Sequence, residues 1–196
     1  ARFSFFLLFF LTLPVLLETD YLLTIWLKTV PHDAVVFTRW VIGISLLHTI
    51  SNPCAIANQA TGKVKVYQAV VGGILLMILP ISYLALKYEA PAYSVFVVHF
   101  FVECVAQMAR MYMLHRLVGL SIIKYMHNIY LPIVTVVCLS CILPIFIHSQ
   151  LYGGMIRFLV VSVICFLSVG ASVIFLGLSK EERKFIYHNA LRFLRI

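Results

Sequence analysis

The stretch VVHFFVECVAQMARMYML, residues 97–114, is almost wholly apolar yet carries His99, Glu103, Gln107 and Arg110. At 100° per residue these four fall at about 0°, 40°, 80° and 20° round a helix, so they share one narrow face. Ionisable groups at membrane depth cost a few kcal/mol and are turned toward protein or a water-filled cavity. The face therefore reads either as the lining of a hydrophilic cavity or as a buried network that ties helices together. Arg110 lies two turns from Glu103, too far for a certain direct pair, and is expected to snorkel inward or to meet an anionic group.

A second polar face occurs upstream. His48, Asn52 and Gln59 fall at about 0°, 40° and 20°, with Ser45 at about 60°. Pro53 follows Asn52 and lacks the N–H that would complete the helix, so a backbone carbonyl is freed there. Two such faces can enclose a hydrophilic path between two helices. Glu18 and Asp20, in LLETDYLL, are expected to be solvated near an interface.

These side chains need elements to hold them, and the composition says which. The 196 residues are 63% hydrophobic and 11% charged, with a mean hydropathy of +1.04. A soluble domain is roughly half apolar and a quarter charged, so the excess here is fit for lipid, and the class is an all-α integral membrane protein. Six spans are predicted: Phe3–Leu27, Val35–Ala57, Val66–Leu86, Ala92–Leu114, Ile129–Ile147 and Met155–Leu178. Each is close to the ~20 residues that cross a bilayer, and none alternates as a barrel strand would. The connectors are short and no linker marks a second domain, so residues 1–178 form one helical bundle. The chain opens inside an apolar run without an initiator Met and is expected to be the later part of a longer protein.

Charge orients the spans. With Ala1 on the cytoplasmic side, Arg2, Lys63, Lys65, Arg110, Arg116, Lys124, Lys180, Arg183, Lys184, Arg192 and Arg195 lie at cytoplasmic ends. Only Lys28, Arg39, Lys87 and Arg157 lie at the other. Positive charge collects on the inner side of membrane proteins, which puts both ends of this chain in the cytoplasm. The net charge of +8 then reflects topology and contact with anionic lipid heads rather than nucleic acid. Residues 179–196 form a separate basic tail. Ser179 and Glu182 have capping-box spacing, and the apolar and basic residues after Ile186 segregate to two faces. The tail reads as a helix lying on the inner leaflet, or as a solvated basic helix.

Catalytic patterns are missing from the sequence. It has no GxSxG, HExxH or phosphate-binding loop, and no metal-ligand cluster is visible in the spacing. Cys138 and Cys141 have zinc-like spacing, but they lie in mid-span with no partner motif and read as small apolar residues, as do Cys54, Cys104 and Cys165. No cofactor, no metal and no enzymatic activity are expected.

Three segments in order, SFFLLFFLTLPVLLETDYLLTIWL, ANQATGKVKVYQ and GGILLMILPISYLAL, together with the closing GLSKEERKF, resemble polysaccharide flippases. These are the O-antigen and lipid-linked oligosaccharide exporters of the multidrug/oligosaccharidyl-lipid/polysaccharide superfamily. The turn Ala60-Thr61-Gly62-Lys63 resembles that family's small-Gly-Lys loop at a cytoplasmic helix junction. The resemblance covers the whole chain and implies the last six of about fourteen helices in a two-lobed, alternating-access carrier. It implies export of an undecaprenyl-pyrophosphate-linked glycan across a bacterial inner membrane, for cell-surface polysaccharide synthesis. Cationic residues in such cavities hold pyrophosphate or anionic sugars, and Arg39 and Arg110 are the residues here that match. The last two spans, with no strong polar face, match a pair that in relatives forms a groove for the lipid tail. Two other classes remain: a drug or ion exporter of the same superfamily, and a membrane subunit or enzyme acting on lipid-linked sugars. A metal cluster or nucleophile meeting across helices would favour the last.

Overall fold

Proline shapes this bundle before packing does. Each proline within a helix removes the N–H that would bond the carbonyl four residues earlier, and in a membrane helix that carbonyl must find another donor. The computed structural model describes residues 1–27 and 29–177. The described residues form helices α1 (Arg2–Leu17), α2 (Thr19–Trp26), α3 (Ala34–Ala60), α4 (Val64–Leu76), α5 (Ile78–Lys87), α6 (Ser94–Val118), α7 (Ile122–Tyr125), α8 (Leu131–Gln150) and α9 (Met155–Ser172). Two π-helical turns, Met126–Tyr130 and Val173–Gly177, continue α7 into α8 and extend α9. No strand occurs among the described residues.

Other helices satisfy the carbonyls that two of these prolines free. Pro144 leaves the Ser140 carbonyl without its helical donor, and the Ser168 hydroxyl of α9 donates to it at 2.9 Å. Pro132 does the same to Asn128 beside the π turn, and Arg2 of α1 donates to that carbonyl at 3.4 Å. Pro80 breaks the third apolar run at Met77, separating α4 from α5 by one residue. Pro31 and Pro91 lie just before α3 and α6, where their carbonyls accept from Ala34 and Ser94 at 3.1 and 2.9 Å.

Among the described residues, five helical stretches are long and apolar enough to cross a bilayer, and the bent pair α1–α2 makes up to six. Four of the predicted spans keep their places, with shifts of a few residues at their ends. The fifth starts earlier than predicted, at Ile122, where the Ser121 hydroxyl accepts from the Lys124 amide. The first predicted span, Phe3–Leu27, is not one straight helix: α1 and α2 meet at 78° around Glu18. The Thr19 hydroxyl donates to the Val15 and Leu16 carbonyls at 2.6 and 3.1 Å, which satisfies the end of α1 where the regular ladder stops. Lys28, the last residue of the sixth span, Leu178, and the predicted basic tail 179–196 lie outside the described residues.

Two sets of helices make the bundle. In the first, α3 packs along α6, α4 and α5 pack on α6, and α4 also touches α3. Ring pairs Phe37–Phe96, Trp40–Phe100 and His48–His99 run down the α3–α6 seam at 5.2, 5.8 and 6.2 Å. Farther along, Cys54 meets Gln107 and Asn58 meets Arg110. Residue numbers rise together on both helices, so α3 and α6 run parallel, as they must if α4–α5 crosses back between them. In the second set, Phe5, Phe6, Phe9 and Leu13 of α1 are buried among Ile133 and Val136 of α8 and Val161, Cys165 and Val169 of α9. Gly177 approaches Phe6 so closely that a Cβ there would lie 2.8 Å from the ring. Ile50 of α3 joins the same core, and α1 links the two sets. Most large apolar side chains outside these seams are exposed, among them Leu7, Leu79, Leu143 and Leu167, as suits a lipid-facing exterior.

Candidate functional site

The α3–α6 seam holds a chain of buried polar groups. Glu103 is fully buried, and its Oε1 receives a 2.6 Å hydrogen bond from Arg110 Nη1. The two residues are seven apart, about 10.5 Å along the axis. The pair closes because Cα–Cβ bonds on a helix tilt toward its N-terminus, so the long arginine side chain lies back over the preceding turns. The sequence spacing left this contact open; the structure draws Arg110 inward, 6% exposed, with Nε donating to the Tyr67 hydroxyl of α4 at 3.4 Å. His48 Nδ1 lies 3.6 Å from the same Oε1, with the His99 ring beside it.

One turn further, Gln107 is buried and donates to the Tyr130 hydroxyl at 3.4 Å and to Cys54 Sγ at 3.6 Å. Cys54 Sγ also meets the Tyr125 hydroxyl at 3.0 Å. Asn58 donates to the Cys54 carbonyl at 2.9 Å and to the Arg110 carbonyl at 3.0 Å, stitching α3 to α6 through main chain. The network is incompletely satisfied. Glu103 Oε2, Gln107 Oε1, Asn58 Oδ1 and Ser51 Oγ are buried without a hydrogen-bond partner among the described residues. Buried polar atoms are seldom left so, and their clustering in one seam marks it as a place for a further ligand, ion or proton, or for a second arrangement of the helices.

Of the predicted residues, the structure brings His48, His99, Glu103, Gln107 and Arg110 together. Asn52 and Gln59 stay exposed beside the seam. Buried Ser51, Cys54 and Asn58 lie about 100° round α3 from the predicted face, which is why the network includes Asn58 rather than Asn52 or Gln59. Their own spacing of three and four residues is a helical face that the sequence displays. Arg39 takes no part: it pairs with Asp20 at 3.6 Å on the surface, with 45% and 71% of the two side chains exposed. The cavity and network readings therefore divide by residue. Glu103, Gln107 and Arg110 are buried in hydrogen-bonded contacts, Asn52 and Gln59 are exposed, and His48 is half-buried. Cysteine at 52 or 59, in a background lacking native cysteines, is expected to react readily with a small water-soluble thiol reagent, whereas cysteine at 105, exposed on the outer face of α6, is expected to sit in lipid and react slowly. Equal rates at the three positions would remove the hydrophilic face.

Comparison with family models, with curated proteins and with solved structures returned no match. The site must be read from its own chemistry.

A second buried ionic group lies at the opposite end of the bundle. Glu18, expected to be solvated, is 1% exposed. Arg157 of α9 donates from Nη2 to its Oε2 at 2.9 Å, and Arg157 Nε lies 2.9 Å from Oε1 without a hydrogen bond between them. His148 Nε2 of α8 lies 3.5 Å from Oε1. The contact anchors the α1–α2 bend to the α8–α9 pair. The correction has a plain cause: Glu18 sits at the bend, where the turn swings its side chain toward α9 instead of out to solvent. No sequence signal pairs residues 139 apart.

Proposed function

We propose that the chain is the helical part of a carrier that moves a lipid-linked oligosaccharide, of the undecaprenyl-pyrophosphate class, from the cytoplasmic to the outer leaflet of a bacterial inner membrane by alternating access. The observation that carries the transport reading is the under-satisfied ionic cluster of His48, Glu103 and Arg110 buried in a seam between helices fit to span a membrane. A charged pair held inside a bundle marks a pathway or a coupling element by default. The substrate class comes from the resemblance of the ordered segments. The Thr61-Gly62 turn named in that resemblance ends α3, with Gly62 at φ 78° and the Thr61 hydroxyl donating to the Asn58 carbonyl. An apolar groove of about 410 Å³ runs between α6 and the α4–α5 pair, lined by Ile74, Met77, Ile81, Val98, Phe101 and Val105 among others. It is suited to an isoprenoid chain. Arg110 reaches a pyrophosphate in this scheme only when Glu103 releases it, which makes the pair the switch rather than a standing clamp.

The test is surface glycan in cells whose only flippase is the full-length protein. Glu103→Gln keeps a hydrogen-bond acceptor for Arg110 and removes the charge. It is expected to abolish most export even when the signal is normalised to the amount of protein in the membrane. Normal export by Glu103→Ala at normal abundance would remove the cluster from the transport path.

The meeting of two histidines and a carboxylate across helices favours a second reading, a membrane enzyme acting on lipid-linked sugars. It is told apart by the substrate: an enzyme changes its covalent structure, whereas a carrier changes only its leaflet.

A further inference from the structure

We infer that His48, His99 and Glu103 form a binding site for a divalent transition-metal ion of the Zn²⁺ type. One ligand atom from each of the three lies within 4.8 Å of the others. Zinc sites use imidazole nitrogen and carboxylate oxygen at about 2.0–2.2 Å, which places two ligands of a tetrahedral ion about 3.4 Å apart. His48 Nδ1 and Glu103 Oε1, at 3.6 Å, already stand near that separation. A swing of the half-buried His99 ring closes the remainder. Two nitrogens and one oxygen select zinc-like ions over calcium or magnesium, which prefer oxygen throughout.

A second observation points to a cation at the same carboxylate. Glu103 is fully buried, and its Oε2 has no hydrogen-bond partner among the described residues. An ionised carboxylate oxygen only accepts, so burial without a donor leaves it to a cation or a proton. Arg110 does not supply that need, because it is engaged at Oε1. Its charge weakens a neighbouring dication, but its hydrogen bond also fixes the carboxylate's orientation, the usual service of groups behind metal ligands. The partial exposure of His48 and His99 leaves a side for entry and for a water as fourth ligand. This inference goes beyond the transport reading and does not depend on it.

The probe is Co²⁺ added to the purified, tag-free full-length protein, followed by its visible ligand-field absorption and by displacement with Zn²⁺. A tetrahedral spectrum with one equivalent bound is expected. His48→Gln and His99→Gln should each weaken binding by at least about tenfold, with unchanged melting curves, while His32→Gln, in the exposed connector before α3, should leave it intact. Absence of the spectrum, or a spectrum insensitive to both substitutions, overturns the site and assigns the Glu103 oxygen to a proton. Export is read separately in cells, so normal export by Glu103→Ala counts against the carrier and leaves the metal site standing, whereas an absent Co²⁺ spectrum counts against the metal site alone.

Discussion

Arg110→Ala is expected to destabilise the folded protein by about 3–5 kcal/mol, because it strips the fully buried Glu103 carboxylate of its closest cationic partner. The expectation follows from burial rather than from the short contact alone. Glu103 is fully buried and its strongest partner is the Arg110 guanidinium. The neighbouring imidazole of His48 stands a full ångström farther off, at 3.6 Å. The measurement is thermal unfolding of purified protein together with abundance in membranes. A compensating change separates charge from shape. Adding Glu103→Leu to Arg110→Met should recover most of the loss, since well-packed apolar residues replace buried ion pairs at little cost. Wild-type stability in Arg110→Ala would show that the carboxylate is already neutralised by something else. Arg110→Lys is the subtler variant: it keeps the charge but not the fork that reaches Glu103 and Tyr67 together.

A loss of similar size is expected for Arg157→Ala at the other end of the bundle. Glu18 would keep only His148, at 3.5 Å, and the α1–α2 bend would lose its tie to α9. The internal control is Arg39→Ala. That residue pairs with Asp20 at 3.6 Å with both side chains open, and such surface pairs are worth about 0–1 kcal/mol. Side-by-side melting curves in one detergent should therefore show a large drop for Arg157→Ala and almost none for Arg39→Ala. Equal drops would mean that Glu18 is not held as a buried anion. Proteolysis near the bend adds a local readout, because loosening at Glu18 exposes the α1–α2 junction before the rest of the bundle opens.

Helical period, apolar length and breakers are local properties, and they carried far. The all-helical class, the placement of most spans, the turn at Gly62 and the shared face of His99, Glu103, Gln107 and Arg110 all follow from residues within a few turns of each other. The bend at Glu18 did not follow. The run through it is apolar enough to continue straight, and the sharp turn is stabilised by a carboxylate that finds Arg157 far along the chain. On α3, Asn52 and Gln59 lie about 100° round the helix from the buried Ser51 and Asn58. Periodicity gives the relative angles of residues on one helix but not the rotation of that helix against its neighbour.

By itself, the sequence determined the all-helical class, where the long apolar stretches lie and which residues share a face. It even contained both halves of each ionic cluster. Only the tertiary structure decided who meets whom: Arg110 with Glu103 across two turns, Asn58 rather than Asn52 at the seam, and two histidines from different helices beside one carboxylate. The reason is that a face is set by the fixed 3.6-residue turn of one chain segment. A partner is set by the axial and rotational register of two packed helices, which depends on how all their side chains interlock.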